Sequence, residues 1–153
     1  MKKLLLALVF CVSAIAANAQ FQFKSLDVSA NFRSDFGLGV GATLETFENL
    51  DFSPKFTLFF PSAGTELMVD ADFHYNFNVA PQWQIYPIAG LAYFHHGITT
   101  NGQSVNVDKL GVNLGVGGRY NVTERLGIFA EGKYSWLRDA DKAYLSIGVN
   151  IRF

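Results

Sequence analysis

The sequence has little cysteine and little charge. Its single cysteine, Cys11, lies in an apolar N-terminal segment, so residues 20–153 contain none and can form no disulfide. Charged residues make up 16% of the chain, whereas about a quarter is usual in soluble domains. Twelve basic and thirteen acidic residues give a net charge of −1. This balance lacks the excess of basic residues that is typical of nucleic-acid-binding proteins, and we expect no nucleic-acid partner.

Long apolar runs are also missing after the N-terminus. The one uncharged run, residues 4–17, follows two lysines and is too short for a transmembrane helix, which needs about 20 residues. A small residue, Ala19, ends the segment, as signal peptidase requires. The pattern predicts a signal peptide over residues 1–19, cleaved between Ala19 and Gln20. Residues 20–153 then form one domain.

What the chain has in quantity is alternation of apolar with small or polar residues. Between Leu110 and Val122, every second residue is apolar or aromatic apart from Gly118, and the residues between them are Gly, Asn and Arg. A β-strand places alternate side chains on opposite faces, so this pattern predicts a strand with one apolar face. Seven other segments alternate in the same way. The predicted strands are residues 24–33, 36–46, 50–60, 66–78, 83–95, 110–122, 126–136 and 144–153.

The connections between these segments alternate between short turns and longer, more polar links. The short turns are residues 48–49, 78–82 and 123–125, and the other links are residues 34–35, 61–65, 97–108 and 138–142. Tight periplasmic turns and looser outer loops are typical of outer-membrane barrels. An even number of strands places both ends of the domain on the periplasmic side.

The composition of the two faces favours a membrane barrel. The polar face is rich in Gly, Ser, Thr and Asn, and the apolar face is continuous and ends in aromatic residues. In lipid every backbone polar group must be paired, which a closed barrel achieves. We therefore predict an all-β fold, an eight-stranded antiparallel up-and-down transmembrane β-barrel. A soluble calycin-like barrel, with its apolar face inside, is the structural alternative. The strand-end aromatics are Trp83, Tyr93, Tyr120, Tyr134, Trp136 and Phe153.

The polar face of such a barrel lines the lumen. Eight strands leave only enough interior for side chains to fill, and an unpaired buried ion costs several kcal/mol. The charges on this face therefore predict a structural network of ion pairs that fills the lumen. Its predicted members are Glu45, Asp70, Asp72 and Glu131 with Lys55, Arg119, Lys133 and Arg152.

The signal peptide, the alternating segments and the terminal Ile151-Arg152-Phe153 resemble small outer-membrane β-barrel proteins of the OmpA/OmpX type, the porin-family barrel domains. The resemblance covers essentially all of residues 20–153. It implies Sec export, periplasmic chaperones and a barrel-assembly machinery that reads Phe153. It also implies a monomer in the bacterial outer membrane, surrounded by lipid and lipopolysaccharide. The outer loops are short, which counts against an adhesin.

No motif predicts a cofactor or a bound metal, and the expected function is a non-enzymatic role in envelope integrity or surface interaction. One alternative is a narrow porin-like channel or uptake protein for small solutes, in which inward glycines leave space. Those glycines are Gly37, Gly39, Gly41, Gly111, Gly115 and Gly117. A second is a lipid-A-modifying enzyme built on His95 and His96, near Thr99, Thr100 and Ser104. Asp70, Asp72 and His74 share one strand face, a spacing that also fits a metal site.

Overall fold

The computed structural model describes residues 21–62, 64–100, 103–137 and 141–153. The predicted signal peptide, with Ala19 and Gln20, lies outside these residues. No helix in the described ranges is long and apolar enough to cross a membrane. The strands are β1 (Gln22–Phe32), β2 (Phe36–Phe47), β3 (Leu50–Phe60), β4 (Thr65–Tyr75), β5 (Phe77–Ala80), β6 (Trp83–Thr100), β7 (Gln103–Asn121), β8 (Leu126–Leu137) and β9 (Lys142–Arg152).

The sheet closes on itself. Strands adjacent in sequence pair antiparallel, β1 pairs with β9, and β4 pairs with β6. Strand β5 continues the pairing of β4 along β6, so the two form one interrupted wall strand and the barrel has eight. Within the described ranges, closure pairs the strands on both sides through the middle of the barrel wall, as lipid requires. The predicted eight-stranded antiparallel barrel is confirmed.

The fourth wall strand is interrupted at Asn76, where the sequence predicts a continuous strand over residues 66–78. The backbone N–H of Asn76 donates to the backbone carbonyl of Asn49, 2.7 Å away, in the neighbouring periplasmic turn. The register along β6 is unchanged across the break, because His74 pairs with Ile88 and Phe77 with Ile85. The interruption is therefore a local bend rather than the end of a wall strand.

The link predicted at residues 97–108 is wrong in extent, because β6 and β7 stay paired as far as Thr100 and Gln103. Their neighbours end earlier: β4 reaches only Gly97, and β8 reaches only Gly111. The hairpin therefore projects beyond the rest of the sheet. In the projecting part the apolar positions, including Val105, lie on the face that continues the lumen side. The alternation thus reverses near residue 109, and this reversal hides the strand from a reading of the sequence.

The two faces of the barrel have opposite chemistry. Lipid-side residues such as Leu38, Val116 and Ile147 are 51–62% exposed, whereas Asp70 and Asn113 inside are at most 1% exposed. So large an exposed apolar surface, running around a closed barrel, is typical of a surface that contacts lipid. The orientation is that of a membrane barrel, and the calycin-like alternative, with its apolar side chains inside, is wrong. Aromatic pairs stand at both ends of the lipid-facing surface, Trp83 with Tyr120 and Tyr134 with Trp136.

Candidate functional site in the barrel lumen

The outer mouth of the lumen is closed by charged side chains around one carboxylate. Glu66, at the start of β4, forms an ion pair with Arg33 from the end of β1. The Nζ atom of Lys142 lies 3.6 Å from the same carboxylate, and Nδ1 of His96 lies 3.2 Å from it. One acidic side chain therefore holds side chains from three other strands across the mouth.

Beneath this mouth lies a cluster of large side chains that we call the apolar plug. It consists of Phe59, Met68, Ala92, Phe94, Leu137 and Tyr144, all of which are buried. Arg33 and Lys142 cover the plug from outside, with cationic groups 4.0 Å from the ring centre of Phe59 and 4.4 Å from that of Phe94. Sequence reasoning missed the plug, because these residues occupy positions on a face that is otherwise polar.

The next layer is an ion cluster on Lys133. Its ammonium group lies 2.6 Å from Asp72 and 3.2 Å from Asp70. The amide of Asn113 donates to both carboxylates at 2.7 and 2.8 Å, and the Tyr144 hydroxyl donates to Asp70 at 3.0 Å. All these groups are buried. Every charge of the cluster therefore has a hydrogen-bonded partner of opposite sign.

A second ion pair crosses the lumen one layer further in. Lys55 on β3 donates to Glu131 on β8 at 2.6 Å. The Tyr86 hydroxyl donates to the other oxygen of Glu131 at 3.0 Å, and the Phe129 ring lies 5.3 Å from the Lys55 ammonium. His74 stacks on the Tyr86 ring at 4.7 Å. The pair thus fixes opposite walls to each other through a buried, hydrogen-bonded contact.

The periplasmic end of the lumen contains carboxylates that sequence reasoning did not assign to a network. Asp51 is fully buried and lies 3.1 Å from the Lys24 ammonium. Asp27 is buried as well, and it accepts hydrogen bonds from the hydroxyl groups of Ser25 and Thr43. Both lie on inward strand positions that the alternation identifies, so their position was available from the sequence although their partners were not.

Five of the eight predicted lumen charges lie in the Lys133 cluster and the Lys55–Glu131 pair. The structure places the other three elsewhere. Glu45 is at the periplasmic mouth, half-exposed and 3.9 Å from Lys24. Arg152 donates to the side chain of Asn121. Arg119 is buried, yet no carboxylate lies within 4 Å of it in the described part of the chain. The eight residues therefore do not form one continuous network.

Side chains of neighbouring strands pack against several of the inward glycines. A Cβ atom at Gly37 would lie 2.6 Å from the Phe59 ring, and one at Gly115 would lie 2.8 Å from Cγ of Lys133. At Gly117 it would collide with the Tyr86 ring. Side chains from neighbouring strands thus occupy the space that these glycines provide. This packing fills the space beside three of the six glycines on which the channel alternative was based.

The two histidines at the outer surface face opposite ways. His96 points into the mouth, whereas His95 lies on the lipid-side face with Nδ1 2.5 Å from a carboxylate oxygen of Asp108. This hydrogen bond, together with one from Tyr93, lowers the pKa of the Asp108 carboxyl below its usual range. Ser104 pairs with a residue four positions beyond His95 on β6, which is about 13 Å along a strand. The structure therefore assembles a histidine–carboxylate pair of His95 with Asp108, whereas the side chains of Thr99, Thr100 and Ser104 lie outside the described part of the chain.

The three residues whose spacing would also fit a metal site take part in the ion clusters and their surroundings. Asp70 and Asp72 both contact Lys133, and His74 stacks on Tyr86. Over the described ranges, no three His, Cys, Asp or Glu side chains are placed to hold a metal ion.

Comparison with known proteins identifies the family. Residues 4–153 match the family model described as the outer membrane protein β-barrel domain. No curated protein matches the chain. The N-terminal β-barrel domain of Pseudomonas aeruginosa OprF is 16% identical with a TM-score of 0.77, covering 88% of this chain and 100% of that domain.

Two further solved structures share the fold. Neisserial surface protein A is 18% identical with a TM-score of 0.68, and the attachment invasion locus protein Ail of Yersinia pestis is 17% identical with a TM-score of 0.62. Each alignment covers 86% of this chain and 95% of the other. At these identities the likeness concerns the fold. With the family match over nearly all of the chain, it shows that this protein belongs to the outer-membrane β-barrel domain family and resides in the bacterial outer membrane.

Proposed function

We propose that this barrel is a non-enzymatic, non-conducting protein that contributes to envelope integrity or presents its outer surface to a partner. The observation that supports this function is the filled lumen. The apolar plug, the Lys133 cluster and the Lys55–Glu131 pair lie at successive levels between the outer mouth and the periplasmic end. A solute crossing the barrel would have to displace all three.

The energetics of these layers support a permanent closure. Separating one partner of a buried ion pair costs about 3–5 kcal/mol, because the other charge remains in a medium that solvates it poorly. Opening a path along the axis would require separating both Lys55 from Glu131 and Lys133 from its carboxylates. Such an open state is too rare to support steady conduction.

Planar-bilayer recording tests this function. The purified, refolded protein should give no steady conductance steps, because the buried side chains of the apolar plug lie across the lumen beneath the outer mouth. A variant with Phe59 and Phe94 both changed to Ala is the positive control, since it removes two rings from the plug. Steady channels from the unaltered protein would contradict the proposed function, whatever the variant does.

The partners proposed for the chain follow from its surface. The lipid-facing belt would contact outer-membrane lipid and lipopolysaccharide. The terminal Phe153 is 84% exposed beside the ring of Phe23, 5.7 Å away. An exposed aromatic at the end of the last strand is available to the barrel-assembly machinery, with periplasmic chaperones handling the unfolded chain. We also propose that the protein functions as a monomer.

A second candidate function is hydrolysis of a lipid ester at the outer surface. The observation that favours it is the 2.5 Å contact of His95 with Asp108 on the lipid-side face. A histidine oriented by a carboxylate acts as a general base, here toward a water molecule. Mass spectra of lipopolysaccharide incubated with the protein and with Asp108→Asn decide it. Unchanged acyl chains in both samples would count against this candidate.

A further inference from the structure

Two consecutive histidines lie where the β6–β7 hairpin leaves the barrel wall. Strand β4 pairs with β6 as far as Gly97, and among the described strands nothing pairs with β6 on that side beyond this residue. His95 and His96 directly precede Gly97. Adjacent residues of a strand point to opposite faces, so the base of the hairpin carries one imidazole on each face of the sheet.

Each imidazole contacts a carboxylate on a different neighbouring strand. On the lipid-side face, Nδ1 of His95 lies 2.5 Å from an oxygen of Asp108 on β7. On the lumen-side face, Nδ1 of His96 lies 3.2 Å from an oxygen of Glu66 on β4, without the geometry of a hydrogen bond. The two histidine side chains are only 21% and 17% exposed. We call these four residues the histidine latch, because they link β6 to the strands on both sides of it.

The other charges around Glu66 cancel one another. Arg33, from the end of β1, pairs with both Glu66 and Asp35. Lys142, from the start of β9, lies 3.6 Å from Glu66. Two cations therefore stand against two carboxylates. A proton on His96 would join a set of zero net charge in which a carboxylate is its direct contact, so the set favours the imidazolium.

One further cation on the lumen-side face opposes protonation of His96. Lys109 on β7 lies opposite Phe94, while His96 lies opposite Val107, so the lysine is diagonal to the imidazole. Lys109 is half-exposed, and water and salt screen its repulsion more than they screen the partly buried contact with Glu66.

His95 has simpler surroundings. Its charged contact is Asp108, which also accepts a hydrogen bond from the Tyr93 hydroxyl at 2.9 Å. The hydrogen bond with His95, followed by the one from Tyr93, lowers the pKa of the Asp108 carboxyl. This carboxylate therefore stays ionised over the range in which histidines gain a proton, between about pH 8 and pH 5.

We propose that the histidine latch is an acid-sensitive device that holds the base of the β6–β7 hairpin to the barrel wall at mildly acidic pH and loosens it at alkaline pH. Protonation turns both contacts into ion pairs, one on each face of β6. A group that binds its proton more tightly in the latched state stabilises that state at low pH, and this stabilisation is lost as the pH rises. The latch is independent of the closed lumen, because it lies at the outer rim above the apolar plug.

Spin labelling of Asn106→Cys in the refolded full barrel, at constant ionic strength, tests the proposal. Asn106 pairs with Gly97 across the base of the hairpin, and its side chain is exposed. The mobile fraction of the label should be about twofold larger or more at about pH 8 than at about pH 5.5, as expected for ion pairs that are partly exposed. Changing both His95 and His96 to Gln should remove this difference.

His74→Gln is the matched control, because it changes the third histidine of the chain, which is buried in the lumen. The pH difference should persist in it, and if this variant fails to fold, Asp108→Asn serves instead to show a reduced difference through the loss of one contact. Equal mobility at both pH values in the unaltered barrel would overturn the proposal. So would a difference of undiminished size in the variant lacking His95 and His96, because another group would then be its source.

Discussion

Lys133 is the cation at the centre of the most buried ion cluster described in the lumen. Its ammonium group is fully buried between Asp70 and Asp72. Replacing it by Met leaves two carboxylates without their counter-ion, so we expect Lys133→Met to lower the free energy of unfolding by about 3–5 kcal/mol. Urea unfolding in lipid vesicles, followed by tryptophan fluorescence, measures this loss.

Arg125→Met is the matched control for Lys133→Met, since Arg125 is an exposed cation in a periplasmic turn. That change should alter the free energy of unfolding by no more than about 0.5 kcal/mol. Equal effects of the two substitutions would show that the Lys133 cluster does not hold the barrel together.

The glycines offer a comparison of inward and outward positions. Gly117→Ala places a methyl group against the Tyr86 ring, whereas nothing lies within 4 Å of a Cβ atom at Gly132 on the lipid side. We expect Gly117→Ala to destabilise by about 1–3 kcal/mol, the usual cost of overpacking, and Gly132→Ala to have little effect. Urea unfolding in lipid vesicles compares the two variants. Equal costs would mean that Tyr86 moves aside and that the lumen is less tightly packed than described.

For a single residue, the sequence predicts which face of the barrel wall the side chain lies on, but not which side chain it contacts. Alternation places Lys55 and Glu131 inside, because the strand period fixes which side chains share a face. Their contact joins positions 76 residues apart, and it depends on the levels at which β3 and β8 cross the lumen. Nothing local in the sequence encodes those levels. Arg119 lies on the predicted face as well, yet the ion pair expected for it is absent from the described contacts.

Among the elements, the β6–β7 hairpin extends furthest from the barrel. Its residues beyond Gly97 and Gly111 have no neighbouring strand on the other side. Such a hairpin would stand in water above the outer leaflet. Asn106, in this part, is exposed. We expect Asn106→Cys to react with a membrane-impermeant maleimide added to intact cells.

Thr123→Cys, in the exposed periplasmic turn between β7 and β8, is the matched control for surface labelling. It should react only after the outer membrane is permeabilised. Residues 20–153 contain no other cysteine, so the labelled position is unambiguous. Labelling of Thr123→Cys but not Asn106→Cys on intact cells would reverse the orientation of the barrel.

Element boundaries were predicted well where a lipid-facing side exists and poorly elsewhere. The predicted strand over residues 50–60 agrees with β3 as observed. The predicted strand over residues 83–95 ends too early and the one over residues 110–122 begins too late. No lipid enforces the alternation above the membrane, so the sequence gives no signal for the strand there. The bend at Asn76 was also missed, since it depends on a backbone hydrogen bond to Asn49 in another turn.

For the whole molecule, a weak pattern repeated many times predicts the fold. One alternating segment is poor support for a membrane strand, but eight of them with short connections leave few other ways to pair every backbone group. What occupies the lumen was predicted only in part, because the apolar plug breaks the rule that inward residues are polar. The plug, more than the ions, distinguishes this lumen from an aqueous channel.

Apolar side chains face lipid while polar ones face inward, and spin labelling along β9 tests this arrangement most directly. Single cysteines at Leu145, Ser146, Ile147 and Val149 would carry the label in reconstituted vesicles. Oxygen, which concentrates in lipid, should relax the label strongly at Leu145, Ile147 and Val149, which are 38–51% exposed, and weakly at the buried Ser146. High oxygen accessibility at Ser146 with low values at its neighbours would contradict the account.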